Sequence, residues 1–302
     1  NLENLFDTLA SAETNDDEFI PGSDKDWNTS KYIAKLDSLA KIISIMNDGK
    51  APEILGLCEM ENEQVIRDLI SRPALSALNY QIVHEESDDK RGIDVSLIYT
   101  DRFTAEKNPE IKVVLEEEAF FVTRDILHAI LKDKNKNEFH LFVNHWPSRW
   151  GGKEASDPKR MAASQALKSR LEQVLRKDKS ANIIIMGDFN DEPVDQSLQE
   201  LIRDNEGIDL YNTFHSLDSL NKGSYCYRGD WNMLDQIIIS PSLKNGKKPD
   251  YINGSATIFE REWMKQKGED NRYKGYPLRT WGGSLYLGGY SDHFPVLIQI
   301  RH

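Results

Sequence analysis

The chain carries acids, amides and histidines at the ends of several apolar runs, where a buried strand would deliver a polar side chain to a loop surface. The clearest is Gly187-Asp188-Phe189-Asn190-Asp191, directly after the apolar run Ile183 to Met186. In extended backbone Asp188 and Asn190 point to one side, so one can accept a proton while the other donates hydrogen bonds to an oxyanion. That pair could orient a water, although Gly, Asp and Asn also form plain strand-to-loop turns. Ser291-Asp292-His293-Phe294-Pro295 stands just before the last apolar stretch. In a loop its carboxylate and imidazole can converge, the first on a cation and the second on a phosphate oxygen; the alternative is a solvated turn. Asp235 enters the apolar run Leu234 to Ile239, where an unpartnered carboxylate is costly and a histidine is a suitable partner. Glu59 ends the run Ile54 to Cys58 and offers the hard oxygen that magnesium prefers. Asn144-His145 closes the run Phe139 to Val143 ahead of Pro147-Ser148-Arg149, and Asn1 and Glu3 alternate onto one face of an opening strand. Each group alone has a bland reading as a turn, a surface acid or a structural histidine. Together, at successive strand ends of one chain, they point to metal-assisted chemistry on a phosphate ester.

Such groups converge only if the elements between them hold the strand ends in place. From Ser30, Ile33, Leu36, Ala40, Ile43 and Met46 recur at helical spacing, and Asn47-Asp48-Gly49 supplies a stop. Asp157-Pro158 reads as an N-cap followed by proline at the first helical position, with Met161, Ala162, Leu167, Leu171, Val174 and Leu175 forming the apolar face. Further strands are expected at Tyr80 to His84, Asp94 to Tyr99, Thr123 to Leu131, Glu138 to Asn144, Asn182 to Met186 and Val296 to Ile300. Glu13 to Asn28 reads as a loop. Many strands with a few intervening helices fit two sheets packed face to face and covered by helices. Neither a repeat nor a long linker divides the chain, so one domain over residues 1–302 is expected.

Composition narrows the partners. The 302 residues hold 38 Lys plus Arg against 50 Asp plus Glu, a formal charge of −12 that disfavours tight, non-specific binding of a duplex polyanion. No apolar run reaches the ~18 residues of a membrane-spanning helix. Two cysteines, Cys58 and Cys226, are too few for a disulfide framework, and Cys58 reads as a buried free thiol. Because Asn1 already sits in a strand-like pattern, upstream sequence such as a cleaved signal is expected, which tilts localisation towards an extracytoplasmic compartment; a monomer is expected.

At these residues the chain resembles the endonuclease/exonuclease/phosphatase superfamily, which includes pancreatic-type deoxyribonucleases, apurinic-site endonucleases, neutral sphingomyelinases and inositol polyphosphate 5-phosphatases. The likeness runs nearly end to end in the family's order. It implies an α/β (α+β) fold, a four-layer sandwich of two mixed β-sheets flanked by helices. It also implies a divalent ion, magnesium with manganese or calcium as substitutes, held by Glu59 and Asp292 with Asn1 near metal and phosphate and Glu3 a further candidate ligand. Asp188 takes the place of the water-activating aspartate and Asn190 that of the phosphate-orienting asparagine. Asp235 matches the partner of the catalytic histidine, His293. His145, in the Asn144-His145 motif, matches a histidine that contacts the scissile phosphate and argues against the apurinic-repair branch. Arg91 in Arg91-Gly92-Ile93-Asp94 resembles a loop near the site; Asn144, Arg149 and Trp281 are further substrate-contact candidates. The segment Trp263 to Tyr290, with Arg272, Lys274 and Arg279, could stack a base, sugar or lipid headgroup, or be an ordinary packed loop. The expected activity is hydrolysis of a phosphodiester, nuclease-like, with a lipid or small-molecule phosphate ester as the alternative substrate and a non-catalytic binding protein as the least favoured reading.

Overall fold

The computed structural model describes residues 1–115, 121–267 and 273–301. Helix α1 (Thr29–Ile45) begins where the Asn28 side chain accepts from the Lys31 amide at 3.2 Å. It ends at Ile45, and the chain turns away at Asp48-Gly49, both at positive φ. After it come β1 (Ile54–Met60), α2 (Glu63–Ile70), β2 (Gln81–His84), β3 (Asp94–Tyr99), β4 (Phe103–Lys107), β5 (Leu127–Asp133) and β6 (Glu138–His145). The long helix α3 (Lys153–Lys177) then leads to β7 (Asn182–Asp188), α4 (Gln196–Ile202), β8 (Tyr211–Asn212), β9 (Tyr225–Tyr227), β10 (Asp230–Asn232) and β11 (Asp235–Ile239). Short strands close the chain: β12 (Asp250–Tyr251), β13 (Thr257–Ile258), β14 (Trp281–Gly282), β15 (Leu285–Tyr286), β16 (Val296–Leu297) and β17 (Ile300–Arg301).

Four layers result. A three-stranded antiparallel sheet, in the order β1-β3-β2, faces a six-stranded mixed sheet in the order β4-β5-β6-β7-β11-β8, whose β6 and β7 are parallel. One apolar cluster lies between the sheets, with Leu97, Ala129, Leu141 and Ile239 all at 0% exposure. A second joins the small sheet to α1 and α2 through Leu36, Ile43, Ile66 and Leu69. A third joins the large sheet to α3 and α4, where Leu167, Leu171, Leu175, Ile183 and Ile185 are fully buried. Burying each large apolar side chain of this kind stabilises the fold by roughly 1.5–3 kcal/mol. The α/β sandwich expected from the strand-rich pattern is therefore present.

Local departures from the sequence reading have physical causes. Residues 1–7 form no strand, only a parallel bridge between Leu5 and Met60, because Glu3 and Asn4 adopt φ of 52°. That break sends the side chains of Asn1 and Glu3 to different partners. Helix α3 starts five residues before Pro158, after Gly151-Gly152 at φ of 85° and 112°. The fully buried Arg160 reaches back to the Lys153 carbonyl at 3.0 Å and ties down the first turn, with the proline lying inside the helix. Strand β5 begins at Leu127 rather than Thr123, and Val296 to Ile300 splits into two short strands paired with β13 and β12. Among the described residues, no helix is long and apolar enough to cross a membrane.

Candidate active site

Strand pairing brings the central acids together. In the large sheet His145 at the end of β6 stands beside Asp188 at the end of β7, and Asp188 stands opposite Asp235 at the start of β11. Three ionisable groups far apart in sequence thus share one sheet edge. From the facing sheet, a β-bulge between Cys58 and Met60 puts Glu59 at φ of 63° and turns its carboxylate into the same space. The Asn1 amide nitrogen lies between the two layers, 3.0 Å from Glu59 Oε1 and 3.1 Å from Asp188 Oδ2.

His293 completes the group from the far end of the chain. Its Nδ1 lies 2.6 Å from Asp235 Oδ2, and its Nε2 lies 3.8 Å from Asp188 Oδ2. Burial works against charge on this imidazole, but Asp235 and Asp188 outweigh it and push its pKa up to about 10. The same pairing with His293 holds Asp235 below the ordinary carboxylate value despite burial. Asp188 moves the other way: burial raises its pKa, with His293 opposing. His145 is neutral, its pKa lowered by burial and then by the nearby Arg124 and Arg91. Its Nε2 lies 3.7 Å from Glu59 Oε1 and 3.9 Å from Asp188 Oδ2, and its buried Nδ1 has no hydrogen-bond partner among the described residues.

The turn after β7 depends on Gly187, at φ of 137°, where a Cβ would lie 2.0 Å from the Asn144 carbonyl oxygen. Beyond it Asn190, at φ of 51°, donates its backbone N–H to Asp188 Oδ1 at 3.0 Å. Asp188 and Asn190 therefore meet through a tight side-chain turn and not through strand alternation. The Asn190 side-chain amide donates to the Trp146 carbonyl at 3.0 Å. Asp292 forms a 3.2 Å ion pair with Arg279, while Glu3 accepts from the Thr280 and Trp281 amides. Buried Lys35, held below its usual pKa at about 8 by burial against the pull of Glu3 and Asp292, lies beneath them.

Three expected substrate contacts are turned elsewhere. Asn144 is fully buried; its amide donates to the Met186 carbonyl at 3.2 Å and its oxygen accepts from the Trp146 indole at 3.1 Å. Arg149 bonds the Asn190 carbonyl at 2.8 Å, Asn232 Oδ1 at 2.8 Å and Asp195 at 3.1 Å, tying loops together with all its nitrogens. Trp281 is 5% exposed and packs on Trp27 at 5.8 Å. Trp263 likewise packs on Tyr290, so this aromatic segment is largely a packed loop; Arg272 lies outside the described residues. Arg91 is exposed and pairs with Asp89.

Ser224 carries little sequence signal as a site residue. It is fully buried, donates to Asp235 Oδ2 at 2.6 Å and accepts from the Asp235 amide at 3.1 Å. The β9–β10 hairpin, turned at Arg228-Gly229 with both residues at positive φ, folds this serine back onto Asp235 eleven residues later. Tyr225, its neighbour, lays its ring 4.8 Å from that of His293. Only an alternating run with a turn dipeptide ahead of Asp235 hints at either contact.

The donor set suits a hard divalent cation on one side. Glu59 and Asp188 present oxygens to the same neutral amide, so two negative groups converge on one point. Asp188, Asp235 and His293 also lie close enough together to surround an ion. A histidine protonated between two carboxylates is a hydrogen-bond donor and not a ligand, so Glu59, Asn1 and Asp292 are the better oxygen donors for the ion.

This geometry belongs to a recognisable class, the α/β-sandwich phosphoesterases. The chain is a member of the endonuclease/exonuclease/phosphatase family, whose model matches residues 1–302. Members of this family act on phosphoester bonds and are generally dependent on a divalent metal. Among solved structures of similar fold is the mannosyl-6-phosphatase of Bacteroides thetaiotaomicron, 18% identical, TM-score 0.56, covering 100% of this chain and 97% of that one. The human Nocturnin catalytic domain with bound sulfate is 18% identical, TM-score 0.52, covering 83% and 82%. TDP2 from D. rerio complexed with a single-strand DNA product is 16% identical, TM-score 0.53, covering 91% and 94%. No curated protein sequence matches the chain.

Proposed function

We propose that the chain is a magnesium-dependent phosphodiesterase that cleaves its substrate by in-line attack of a water. The observation that carries this reading is the buried His293–Asp235 pair at 2.6 Å, set beside Asp188 and across from Glu59. Glu59 and Asp292, with Asn1 nearby, would hold the ion, which supplies charge stabilisation at the phosphoryl and leaving-group oxygens. Asp188 is the base: burial raises its proton affinity, and its Oδ2 accepts from the Asn1 amide at 3.1 Å, beside Glu59. His293, kept protonated by Asp235, donates to a non-bridging oxygen as charge develops there. His145, neutral, offers its Nε2 on the same side, and Asn190 orients the phosphate beside it. Most of the rate enhancement then comes from donors already in place before reaction.

A nucleic acid or other diester is the first substrate class. The formal charge of −12 supports a second, a lipid-headgroup or small-molecule phosphate ester, since a long polyanion is repelled by it. The mannosyl-6-phosphatase likeness over the whole chain is consistent with that alternative. The test is hydrolysis of bis-(p-nitrophenyl) phosphate with magnesium by wild type and His293→Ala. A loss of roughly 10²–10⁴-fold in the variant is expected; equal activity would remove His293 from the mechanism. A parallel panel of plasmid, RNA, sphingomyelin, phosphoinositide and sugar phosphate separates nicked DNA from released phosphate. Failure of every member with every divalent ion would leave a binding protein.

A further inference from the structure

We infer that Arg124 is a positioning residue for the phosphate site, acting through the Trp146 carbonyl; this rests on the proposed roles of His145 and Asn190. Arg124 lies just before β5 and is 5% exposed, a guanidinium without direct access to bulk water. Such a group is rare in a protein interior unless its charge and its donors are matched. Its Nη1 donates to Asp89 Oδ2 at 3.2 Å and its Nη2 donates to the Trp146 carbonyl at 2.8 Å.

That carbonyl is shared. The Asn190 side-chain amide donates to the same oxygen at 3.0 Å, from the turn after β7. One backbone oxygen, adjacent to His145 in the chain, therefore joins the β6 end to the β7 end through an arginine on one side and the phosphate-orienting asparagine on the other. The Trp146 amide completes the link by donating to the Asp188 carbonyl at 2.9 Å. With its oxygen occupied by Asn190 Nδ2, the asparagine rotamer is set, and the Asn190 carbonyl is gripped independently by Arg149 at 2.8 Å.

Asp89 anchors the arginine in turn. Its carboxylate also accepts the Arg91 backbone amide at 2.8 Å, which fixes the loop before Gly92. The continuous path is Arg91–Asp89–Arg124–Trp146 carbonyl–Asn190, and it runs from the β2–β3 loop to the centre of the site. It explains why Arg91, though directed at Asp89, belongs to the site's surroundings: both arginines also bear electrostatically on His145.

A positioning role predicts a specific kinetic signature. Arg124→Lys keeps the charge but cannot reach Asp89 and the Trp146 carbonyl together, because it loses the planar two-pronged geometry. On bis-(p-nitrophenyl) phosphate with magnesium, kcat is expected to fall about 10–100-fold while KM changes less than about threefold. Arg124→Ala should fall further and regain at least about tenfold in kcat with millimolar guanidinium, whereas His293→Ala should gain nothing from guanidinium. Rates are expressed per folded molecule, from circular dichroism and a melting curve, so that a purely structural arginine would lower the folded fraction without changing kcat. If Arg124→Ala does not fold, Arg124→Lys carries the test. Wild-type kcat in Arg124→Lys, or no guanidinium response in folded Arg124→Ala, overturns the inference. Asp188→Asn distinguishes the two levels: if it is inactive while the Arg124 variants behave as wild type, only this inference fails. If Asp188→Asn is as active as wild type, the proposed site itself fails.

Discussion

Replacing Asp235 with Asn removes one charge and almost no volume, which makes it the sharpest probe of the His293 pair. The two groups are 2.6 Å apart, with side chains each 7% exposed. At an effective dielectric of about 20, unit charges at that distance attract by about 6 kcal/mol before desolvation is counted. Breaking a buried pair by removing one member typically costs about 3–5 kcal/mol net. Part of that will show in stability, because the Asp235 oxygen that faces His293 also accepts from Ser224 at 2.6 Å, and a neutral amide oxygen is a weaker acceptor for both. The remainder should show in catalysis. Without the carboxylate, His293 loses the largest influence that keeps it protonated, and its ring is left with at best a neutral acceptor to orient it. Turnover on bis-(p-nitrophenyl) phosphate with magnesium should fall about 10²–10⁴-fold, the usual share of a positioned acid or base. The activity loss should persist at saturating substrate, and far-ultraviolet circular dichroism should remain that of wild type. A folded Asp235→Asn enzyme within about threefold of wild-type turnover would refute the assignment of this pair to the reaction.

Other outcomes follow from the same contacts. Gly187→Ala places a methyl group 2.0 Å from the Asn144 carbonyl oxygen in a φ region that alanine avoids, so a loss of at least about 2–3 kcal/mol in urea unfolding is expected; unchanged stability would show that the turn adapts. In the presence of EDTA, His293 should make stability pH-dependent. Its folded pKa of about 10 lies above its unfolded value of about 6.5, so its contribution is full below about pH 6.5 and is lost as pH rises towards 10. Stability curves of wild type and His293→Gln should therefore converge over that window, and parallel curves would contradict the raised pKa. Arg149→Ala should lower the melting temperature by several degrees, on the order of a 1–3 kcal/mol loss, while KM stays within about threefold, because its nitrogens are committed to loop partners; a rise in KM of tenfold or more would restore it as a phosphate contact.

Much of the architecture is legible in local patterns. The helical pattern from Ser30 to Met46 marks α1 within a residue or two, and the apolar runs ending at Glu59, His145 and Asp188 locate the central strands because a strand buried on both faces has little freedom in composition. The start of α3 is misplaced by the sequence pattern because Asp157-Pro158 mimics an N-terminus, whereas Gly151-Gly152 and the buried Arg160 decide it. Asn144 and Arg149 flank His145 but are turned into the interior. Proximity in sequence places a residue at a strand end without fixing which way its side chain points.

From the residues alone came their types and their order: hard acids, amides and histidines at strand ends, enough to name the family resemblance and the chemistry it implies. What only the tertiary structure decides is which of them meet. The antiparallel register sets Asp235 opposite Asp188, the bulge turns Glu59 out of its strand, and the left-handed backbone at Glu3 and Asn190 redirects both side chains. Ser224 and Arg124 reach the site through a hairpin and a shared carbonyl. Those contacts depend on the register of strands distant in sequence and on single positive-φ residues, and a short-range pattern of apolar and polar residues carries no information about either.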